Sequence, residues 1–321
     1  MTDAKWPKPV IITTLFGPNY LWHVLAVARI GYDSEYADTY RDTIAPTALK
    51  CLESNKSLLE FAEGEGGELS GFFTVLPAWL HLESKSQFQT YFDVVEVALR
   101  KGDLSPFVQA YGDADWSDRF FSEHVKQAKF PANQHDLIEK ARRLSQIYVD
   151  SLDAYRRRVW RDARCALAKR AAELNDCFEK QDFIAKWEQL LGIPFAANQY
   201  EVVLCYSNKD GPDYNSLGYS GNLFYYDKPF KQTCQFLSHE IGTHLLIDIY
   251  FTLVATGKYD HRKLYAAYET MAMFYNKLVL GVDELDYSLP RMNDARHLEV
   301  YAKAYYEGIN PGALILKALE S

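Results

Sequence analysis

The chain has 321 residues, 48% of them hydrophobic, and carries a formal net charge of −8. This composition excludes collagen-like and disordered chains, leaves room for a large core, and fits one or two domains. The negative charge argues against nucleic acid or an anionic membrane as a partner. Five scattered cysteines without a CxxC pair indicate reduced thiols, as expected for a cytoplasmic protein. The apolar stretches are shorter than the ~18 residues of a membrane span, so we predict no membrane partner and leave the oligomeric state open.

Helical periodicity dominates the first 194 residues. Apolar residues at helical spacing predict a helix over about 21–28, and residues 92–99 close a second apolar segment. The strongest signal is a long amphipathic helix from His135 to Asn175. Its second half is rich in arginine, for which a solvated, salt-bridged face and a docking site for an acidic partner are the two interpretations. A shorter helix over 182–191 ends at Gly192.

The pattern changes after residue 195. Residues 200–206 are β-branched and aromatic and predict a strand, and residues 221–226 predict a second one. Further helices are predicted over 233–255, about 262–280 and about 294–307. We therefore predict an α+β chain that is mostly helical. A helical N-terminal region covers 1–194, and a compact core covers 195–321, in which the strand pair precedes a long helix.

That long helix contains the sequence Ser-His-Glu-Ile-Gly-Thr-His at residues 238–244. His239 and His244 form an HExxxH pattern, one residue longer than the HExxH of many zinc proteases. On a regular helix, residues five apart diverge by about 140°, so two imidazoles reach one ion only if the helix is locally widened. A π-bulge provides such widening, and Gly242 would tolerate the distorted backbone. The alternative is a packed histidine, but an unpaired Glu240 would be costly to bury in this apolar helix.

A carboxylate on the next helix completes the predicted ligand set. Glu269 follows His244 by 25 residues, which is enough for one helix to end and another to return antiparallel. Asp248 and His261 are the competing ligands, and a surface salt bridge is the alternative role for Glu269. Two histidines, one carboxylate and an open fourth position are typical of catalytic Zn²⁺.

The same residues predict a hydrolytic mechanism. Zinc lowers the pKa of its bound water and polarises a carbonyl, and Glu240, next to a ligand, would be the general base. The oxyanion that develops on the substrate needs a hydrogen-bond donor. His297 and Tyr301 on the last predicted helix are the selected candidates. Other tyrosines on this helix or beside the third ligand are alternatives, namely Tyr265, Tyr268, Tyr305 and Tyr306.

Residues 236–246, Phe-Leu-Ser-His-Glu-Ile-Gly-Thr-His-Leu-Leu, resemble the HExxxH metallopeptidases typified by the microtubule-associated tyrosine carboxypeptidases and their bacterial relatives. The resemblance covers about residues 199–275. It implies that His239 and His244 bind zinc and that Glu240 is the base. It also implies that Glu269 is the third ligand, although Tyr-Glu-Thr-Met-Ala stands where that family has a Glu-Gly-Leu-Ala-like sequence. The implied fold of the core is zincin-like.

These features predict a zinc-dependent peptidase that acts on a peptide or protein substrate, and the resemblance favours removal of the carboxy-terminal residue. The strand over 221–226 is expected to form the edge of the cleft, with Asn222 binding substrate. Among Arg262, Arg291 and Arg296, we select Arg296 to bind a terminal carboxylate. Rival predictions are another metal-dependent amide or ester hydrolase, and a non-catalytic binding scaffold with a structural metal site.

Overall fold

The computed structural model describes residues 8–320 apart from 63–64, 113–127, 210, 212, 217 and 288–294. These residues are mostly helical and include a small mixed four-stranded sheet, which confirms the mostly helical α+β prediction. They form two compact units. The sheet unit comprises Ile11–Asp176 and Glu201–Asp227. The HExxxH unit comprises the described parts of Met1–Val10, Cys177–Tyr200 and Lys228–Ser321.

The sheet unit is built largely from helices, which are α1 (Phe16–Val27), α2 (Glu35–Tyr40), α3 (Pro46–Ser54), α4 (Lys56–Leu59), α5 (Leu76–Ala78), α6 (Lys85–Lys101), α7 (Ser105–Tyr111), α8 (His135–Tyr155) and α9 (Arg161–Phe178). A 3₁₀ turn covers Arg41–Thr43. Helix α1 is buried along its whole length and belongs to the core of the unit. Local chemistry sets the bounds of α6, because Ser84 and Gln87 form a capping box at its start and Gly102 (φ 77°) ends it.

One long helix runs from α8 through a π-helical turn at Arg156–Trp160 into α9. This confirms the amphipathic helix that periodicity predicts between His135 and Asn175. Several of its arginines have partners within the chain: Arg158 pairs with Asp42, and Arg170 pairs with Glu173 at 3.3 Å. These ion pairs favour the salt-bridged interpretation of the basic face over a docking site.

The strands are β1 (Val10–Thr13), β2 (Phe61–Ala62), β3 (Glu65–Gly66), β4 (Tyr200–Cys205), β5 (Tyr214–Asn215) and β6 (Gly221–Tyr225). The larger sheet has the order β1-β4-β6-β5, while β2 and β3 form a separate antiparallel pair. β4 and β6 are parallel, with Glu201 opposite Gly221. β5 runs antiparallel to β6 and covers its other side at Asn222 and Leu223. The prediction that this strand forms an open cleft edge is therefore wrong, and Asn222 is buried with its amide donating to Asn215.

The HExxxH unit consists mainly of helices, which are α10 (Phe183–Leu191), α11 (Phe230–Ala255), α12 (His261–Leu280), α13 (Ala295–Tyr306) and α14 (Pro311–Glu320). The first four lie within three residues of the predicted bounds, and α14 is an additional helix. The Asp182 carboxylate caps α10 by accepting the N–H of Ala185 at 2.9 Å, and Gly192 (φ 68°) ends it. In the part of the chain that the structure describes, none of the helices combines the length and apolar character of a membrane span.

Helices α11 and α12 are antiparallel neighbours, and their register positions the candidate site. The chain turns between them at Gly257 (φ 64°). Close to the turn, the Tyr250 hydroxyl and His261 Nε2 lie 2.7 Å apart. Further from the turn, the same register brings Glu269 on α12 opposite His239 on α11.

Candidate metal centre

The α11–α12 interface holds a buried histidine–carboxylate pair. His239 Nε2 lies 3.0 Å from Glu269 Oε2, although the two residues are 30 positions apart in the sequence. His239 is completely buried and Glu269 is 8% exposed. Two ligand atoms bound to one zinc ion at 2.0–2.1 Å in tetrahedral geometry are roughly 3.3 Å apart. The 3.0 Å contact is the length of a hydrogen bond, and a zinc ion between the two atoms would move them apart by roughly 0.3 Å.

Glu240 follows His239 in the sequence, and its carboxylate affects three buried tyrosines. It is largely buried, and its side chain projects about 100° around the helix from His239. Burial raises the pKa of Tyr200, Tyr265 and Tyr287 well above the usual value for tyrosine, and the Glu240 carboxylate raises each of them further. The Glu240 carboxylate is thus near enough to three tyrosines of the HExxxH unit to affect their pKa values.

Two of these tyrosines border the histidine–carboxylate pair. Tyr265 lies one turn before Glu269 on α12, and its pKa is raised first by burial and then by the nearby Glu269 carboxylate. The Tyr287 ring lies 5.5 Å from the His239 ring, centroid to centroid. Sequence reasoning includes Tyr265 among its candidates but misses Tyr287. Tyr287 follows Glu269 by 18 residues outside any helix, so no periodic signal connects it to the site.

His244 is directed away from the pair. Helix α11 is α-helical throughout, so His244 is rotated about 140° from His239. The His244 ring packs against Tyr200, with centroids 5.4 Å apart. The predicted widening between the two histidines is therefore wrong. The π-helical turns among the described residues lie instead at Gly71–Val75 and Arg156–Trp160.

Gly242 has a packing role rather than the predicted role in a distorted backbone. A Cβ atom on Gly242 would lie 2.3 Å from two ring carbons of Trp187. Trp187 on α10 is completely buried, and its Nε1 donates to Ser238 Oγ at 3.1 Å. Because no Cβ tolerates so short a contact, glycine at this position allows the indole of α10 to pack directly against α11.

The competing ligands lie outside the centre. Asp248 is exposed on α11, and His261 is exposed at the start of α12, where its Nε2 contacts the Tyr250 hydroxyl. Neither is part of the contact between His239 and Glu269. Glu269 is thus the carboxylate that the fold brings to His239, which favours it over the two alternatives.

The residues selected as oxyanion donor and carboxylate-binding cation lie on α13. Tyr301 is completely buried, and its hydroxyl donates to the Ala267 carbonyl oxygen at 2.8 Å. His297 is 9% exposed, and its ring centroid lies 6.3 Å from that of Tyr301. Arg296 is exposed on the same helix. Arg291 lies outside the described residues.

Two side chains at this centre have donor atoms of the kind that zinc binds. An imidazole nitrogen and a carboxylate oxygen are both ordinary zinc ligands, and the His239–Glu269 contact places one of each together. The Nδ1 atom of His239 is buried and has no hydrogen-bond partner within the described ranges. Across those ranges, no group of three His, Cys, Asp or Glu side chains is arranged to hold a metal ion. The structure therefore shows a pair of zinc-type ligands and not a complete coordination sphere.

Comparisons with known proteins assign no family to the chain. No protein-family model matches it, and no curated protein or solved structure matches it either. The functional interpretation therefore depends on the residues of this centre and on the resemblance of residues 236–246.

Proposed function

We propose that this protein is a zinc-dependent peptidase with a zincin-like core. The observation that carries the proposal is the buried 3.0 Å contact between His239 Nε2 and Glu269 Oε2, with the buried Glu240 next to His239 in the sequence. Burying a carboxylate is costly unless a cation or a shared proton compensates for its charge. A zinc ion held by His239 and Glu269 would provide that compensation. His244, the other histidine of the motif, packs on Tyr200 and would join the ion only if the helix widened at the motif on binding.

Each residue has a separate role in the proposed reaction. When bound, Zn²⁺ supplies a water of lowered pKa and polarises the substrate carbonyl. Glu240 accepts a proton from the water as the water adds to the carbonyl carbon. Glu240 then delivers that proton to the leaving amine nitrogen as the C–N bond breaks. Tyr265, near the Glu269 carboxylate, would help to orient that ligand, as residues behind a metal ligand commonly do.

Elemental analysis of the purified protein tests the metal centre. We expect near-stoichiometric zinc in the wild type and loss of zinc from His239→Ala and Glu269→Ala, because each variant lacks one member of the pair. Loss of zinc from His244→Ala as well would show that the helix widens on binding and brings this ring to the ion. Asp248→Ala removes an exposed carboxylate of the same helix and should keep its zinc, which makes it the matched control. A wild-type protein that stays metal-free after dialysis against Zn²⁺ would overturn the proposal.

The variant Glu240→Gln separates metal binding from catalysis. It should retain zinc and lower the rate of peptide hydrolysis by about 10²- to 10⁴-fold, the usual contribution of a general base. Hydrolysis of a peptide mixture is followed by mass spectrometry. Full activity of Glu240→Gln would contradict the assigned role. Zinc binding without hydrolysis of any amide would favour the scaffold with a structural metal, and hydrolysis of esters alone would favour a different hydrolase.

The favoured reaction is removal of the carboxy-terminal residue, with Arg296 as the cation for the terminal carboxylate. A peptide and its C-terminally amidated twin distinguish this reaction from the alternatives. We expect the free acid to lose one residue and the amide to stay intact, and Arg296→Ala should raise KM for the free acid. Equal cleavage of both peptides, or cuts at internal bonds, would exclude a carboxypeptidase without affecting the zinc assignment.

A further inference from the structure

Tyr287 lies in the segment that follows α12 and packs against the candidate centre. Its ring centroid is 5.5 Å from that of His239 and 5.2 Å from that of Phe236, both in edge-on geometry. The side chain is 8% exposed. The neighbouring Asp286 N–H donates to Gln235 Oε1 at 2.6 Å, which fixes this segment to α11. Tyr287 is therefore held beside a proposed zinc ligand by its ring contacts and by the hydrogen bond of the neighbouring Asp286.

The hydrogen bonding of the Tyr287 hydroxyl leaves its proton available. Asn276 Nδ2 donates to this hydroxyl at 3.1 Å and also donates to the Gln235 carbonyl oxygen at 2.8 Å, which fixes the amide. A tyrosine hydroxyl accepts hydrogen bonds and has one proton to donate. Within the described part of the chain, no hydrogen bond uses that proton. Burial raises the pKa of Tyr287, and the hydrogen bond from Asn276 lowers it by less. The Glu240 and Glu269 carboxylates raise it further through their electrostatic interaction with the hydroxyl.

The other tyrosines considered as oxyanion donors have a different hydrogen-bond pattern. Tyr265 lies beside the Glu269 carboxylate, an acceptor for its proton, and Tyr301 donates its proton to the Ala267 carbonyl oxygen. Tyr268 donates to the Thr243 carbonyl oxygen on α11. A proton engaged in a hydrogen bond inside the protein must leave that partner before it can bind a substrate oxygen, and the buried partner would then be unsatisfied. Among the residues that the structure describes, no acceptor holds the Tyr287 proton, so Tyr287 does not have that cost.

We propose that Tyr287 is the oxyanion donor of this site, its O–H binding the carbonyl oxygen of the scissile amide. This inference rests on the peptidase function proposed above. As water oxygen bonds to the carbonyl carbon, the C=O π electrons move to the oxygen, and the Tyr287 proton stabilises that charge without being transferred. When the C–N bond breaks, the electron pair returns to re-form C=O, and the amine leaves with the proton that Glu240 delivers. Asn276 is a positioning residue, since it acts through the Tyr287 hydroxyl.

The variant Tyr287→Phe tests this role because it keeps the ring against His239 and removes only the hydroxyl. We expect kcat to fall about 10²- to 10³-fold, the usual cost of one oxyanion donor, with KM and zinc content unchanged. The control variant is Tyr275→Phe. Tyr275 is a buried tyrosine on α12 that lies next to Phe274 and Tyr305, and loss of its hydroxyl should leave kcat within about threefold of wild type.

A second measurement does not depend on turnover. A phosphinic peptide presents a tetrahedral P–O⁻ group in place of the scissile amide, so its affinity reports on the oxyanion donor. By isothermal titration calorimetry, the zinc-loaded Tyr287→Phe protein should bind this peptide at least about 10²-fold more weakly than wild type. The control uses the parent peptide and the inactive variant Glu240→Gln. Its affinity for this peptide should not change when Tyr287→Phe is added.

The outcomes distinguish the two proposals. An active, zinc-containing wild type together with normal kcat and normal phosphinic-peptide affinity in Tyr287→Phe would overturn the oxyanion role alone. A large loss of kcat in Tyr301→Phe with none in Tyr287→Phe would transfer the role to Tyr301 and also overturn it. A wild type without zinc and without peptide hydrolysis would overturn both proposals.

Discussion

Each of the two compact units buries a histidine completely, and the two histidines have different partners. In the sheet unit, His23 Nδ1 lies 2.7 Å from the Tyr36 hydroxyl, and Nε2 lies 2.9 Å from Thr43 Oγ1. Because Thr43 Oγ1 donates its own proton to the Tyr40 carbonyl oxygen at 2.6 Å, it accepts from His23 Nε2–H. Tyr36 therefore donates to Nδ1, and His23 is a neutral ring with both nitrogens satisfied.

In the HExxxH unit, His239 has a carboxylate at Nε2 and a second carboxylate, Glu240, next to it in the chain. Its Nδ1 is buried without a hydrogen-bond partner among the residues that the structure describes. Burial alone does not distinguish the two histidines, because both are 0% exposed. The partners do: His23 has hydroxyls on both nitrogens, whereas His239 has a buried carboxylate, the partner on which the zinc proposal rests.

Replacing each histidine by phenylalanine gives the largest contrast. His239→Phe should lose all bound zinc, whereas His23→Phe should keep near-stoichiometric zinc. His23→Phe should instead lower the free energy of unfolding by about 1–3 kcal/mol, since the Tyr36 hydroxyl loses its acceptor. Elemental analysis gives the zinc content, and urea unfolding followed by circular dichroism gives the stability. Zinc loss in His23→Phe would show that the distinction between the two histidines is incorrect.

Acid should affect stability through His23. Burial lowers the pKa of His23 from its ordinary value of 6.5 to about 3. Between these values the unfolded chain binds a proton that the folded chain excludes, so stability falls as pH falls from 6.5 toward 3. The full loss is at most about 5 kcal/mol, of which about 2–3 kcal/mol is expected between pH 7 and pH 4.5.

Urea unfolding at both pH values measures this effect, and His23→Phe is the control because it lacks the titrating ring. The difference in stability between pH 7 and pH 4.5 should be smaller in the variant by that amount. The same pH dependence in both proteins would mean that other groups control acid unfolding and that His23 is not held neutral.

Packing around the HExxxH helix gives the next largest effect. Gly242→Ala places a Cβ against Trp187 and should destabilise the protein by about 1–3 kcal/mol. Gly312→Ala, in helix α14, meets only contacts of 3.6 Å and should be neutral or slightly stabilising. Thermal unfolding followed by circular dichroism compares the two. Adding Trp187→Leu should reduce the stability that Gly242→Ala loses. An unchanged loss would show that the Trp187 indole is not its cause.

Surface ion pairs should matter least in either unit. Arg158 pairs with Asp42 in the sheet unit, and Lys317 pairs with Glu307 at 3.3 Å in the HExxxH unit, all of them well exposed. Solvent screens such pairs, so Arg158→Ala and Lys317→Ala should each change stability by less than about 1 kcal/mol. Urea unfolding at low and high salt measures both. A salt-dependent loss above 2 kcal/mol in Arg158→Ala would give the basic helix face a larger role than a solvated surface has.

Local patterns in the sequence predict much of the helical structure. The long helix across residues 135–175 and the bounds of α10, α11, α12 and α13 follow from apolar periodicity and end signals such as Asp182 and Gly192. The approach of Glu269 to His239 also follows from the sequence, because a short turn after a long helix forces the next helix to return alongside it. The helix bounds and the turn between the two helices depend on neighbours within a few residues, which is the information that periodicity contains.

The contacts that complete the site depend on residues far apart in the sequence, and only the tertiary structure decides them. Trp187 on α10 explains Gly242, and α11 keeps its regular turn at the motif, so His244 packs on Tyr200. Tyr287 reaches His239 because Gln235 and Asn276 anchor its segment to the helix pair. Sequence spacing determines the angle between residues of one regular helix, but it does not determine which side chains fill the space between helices, because packing there depends on the shapes of all the surrounding residues.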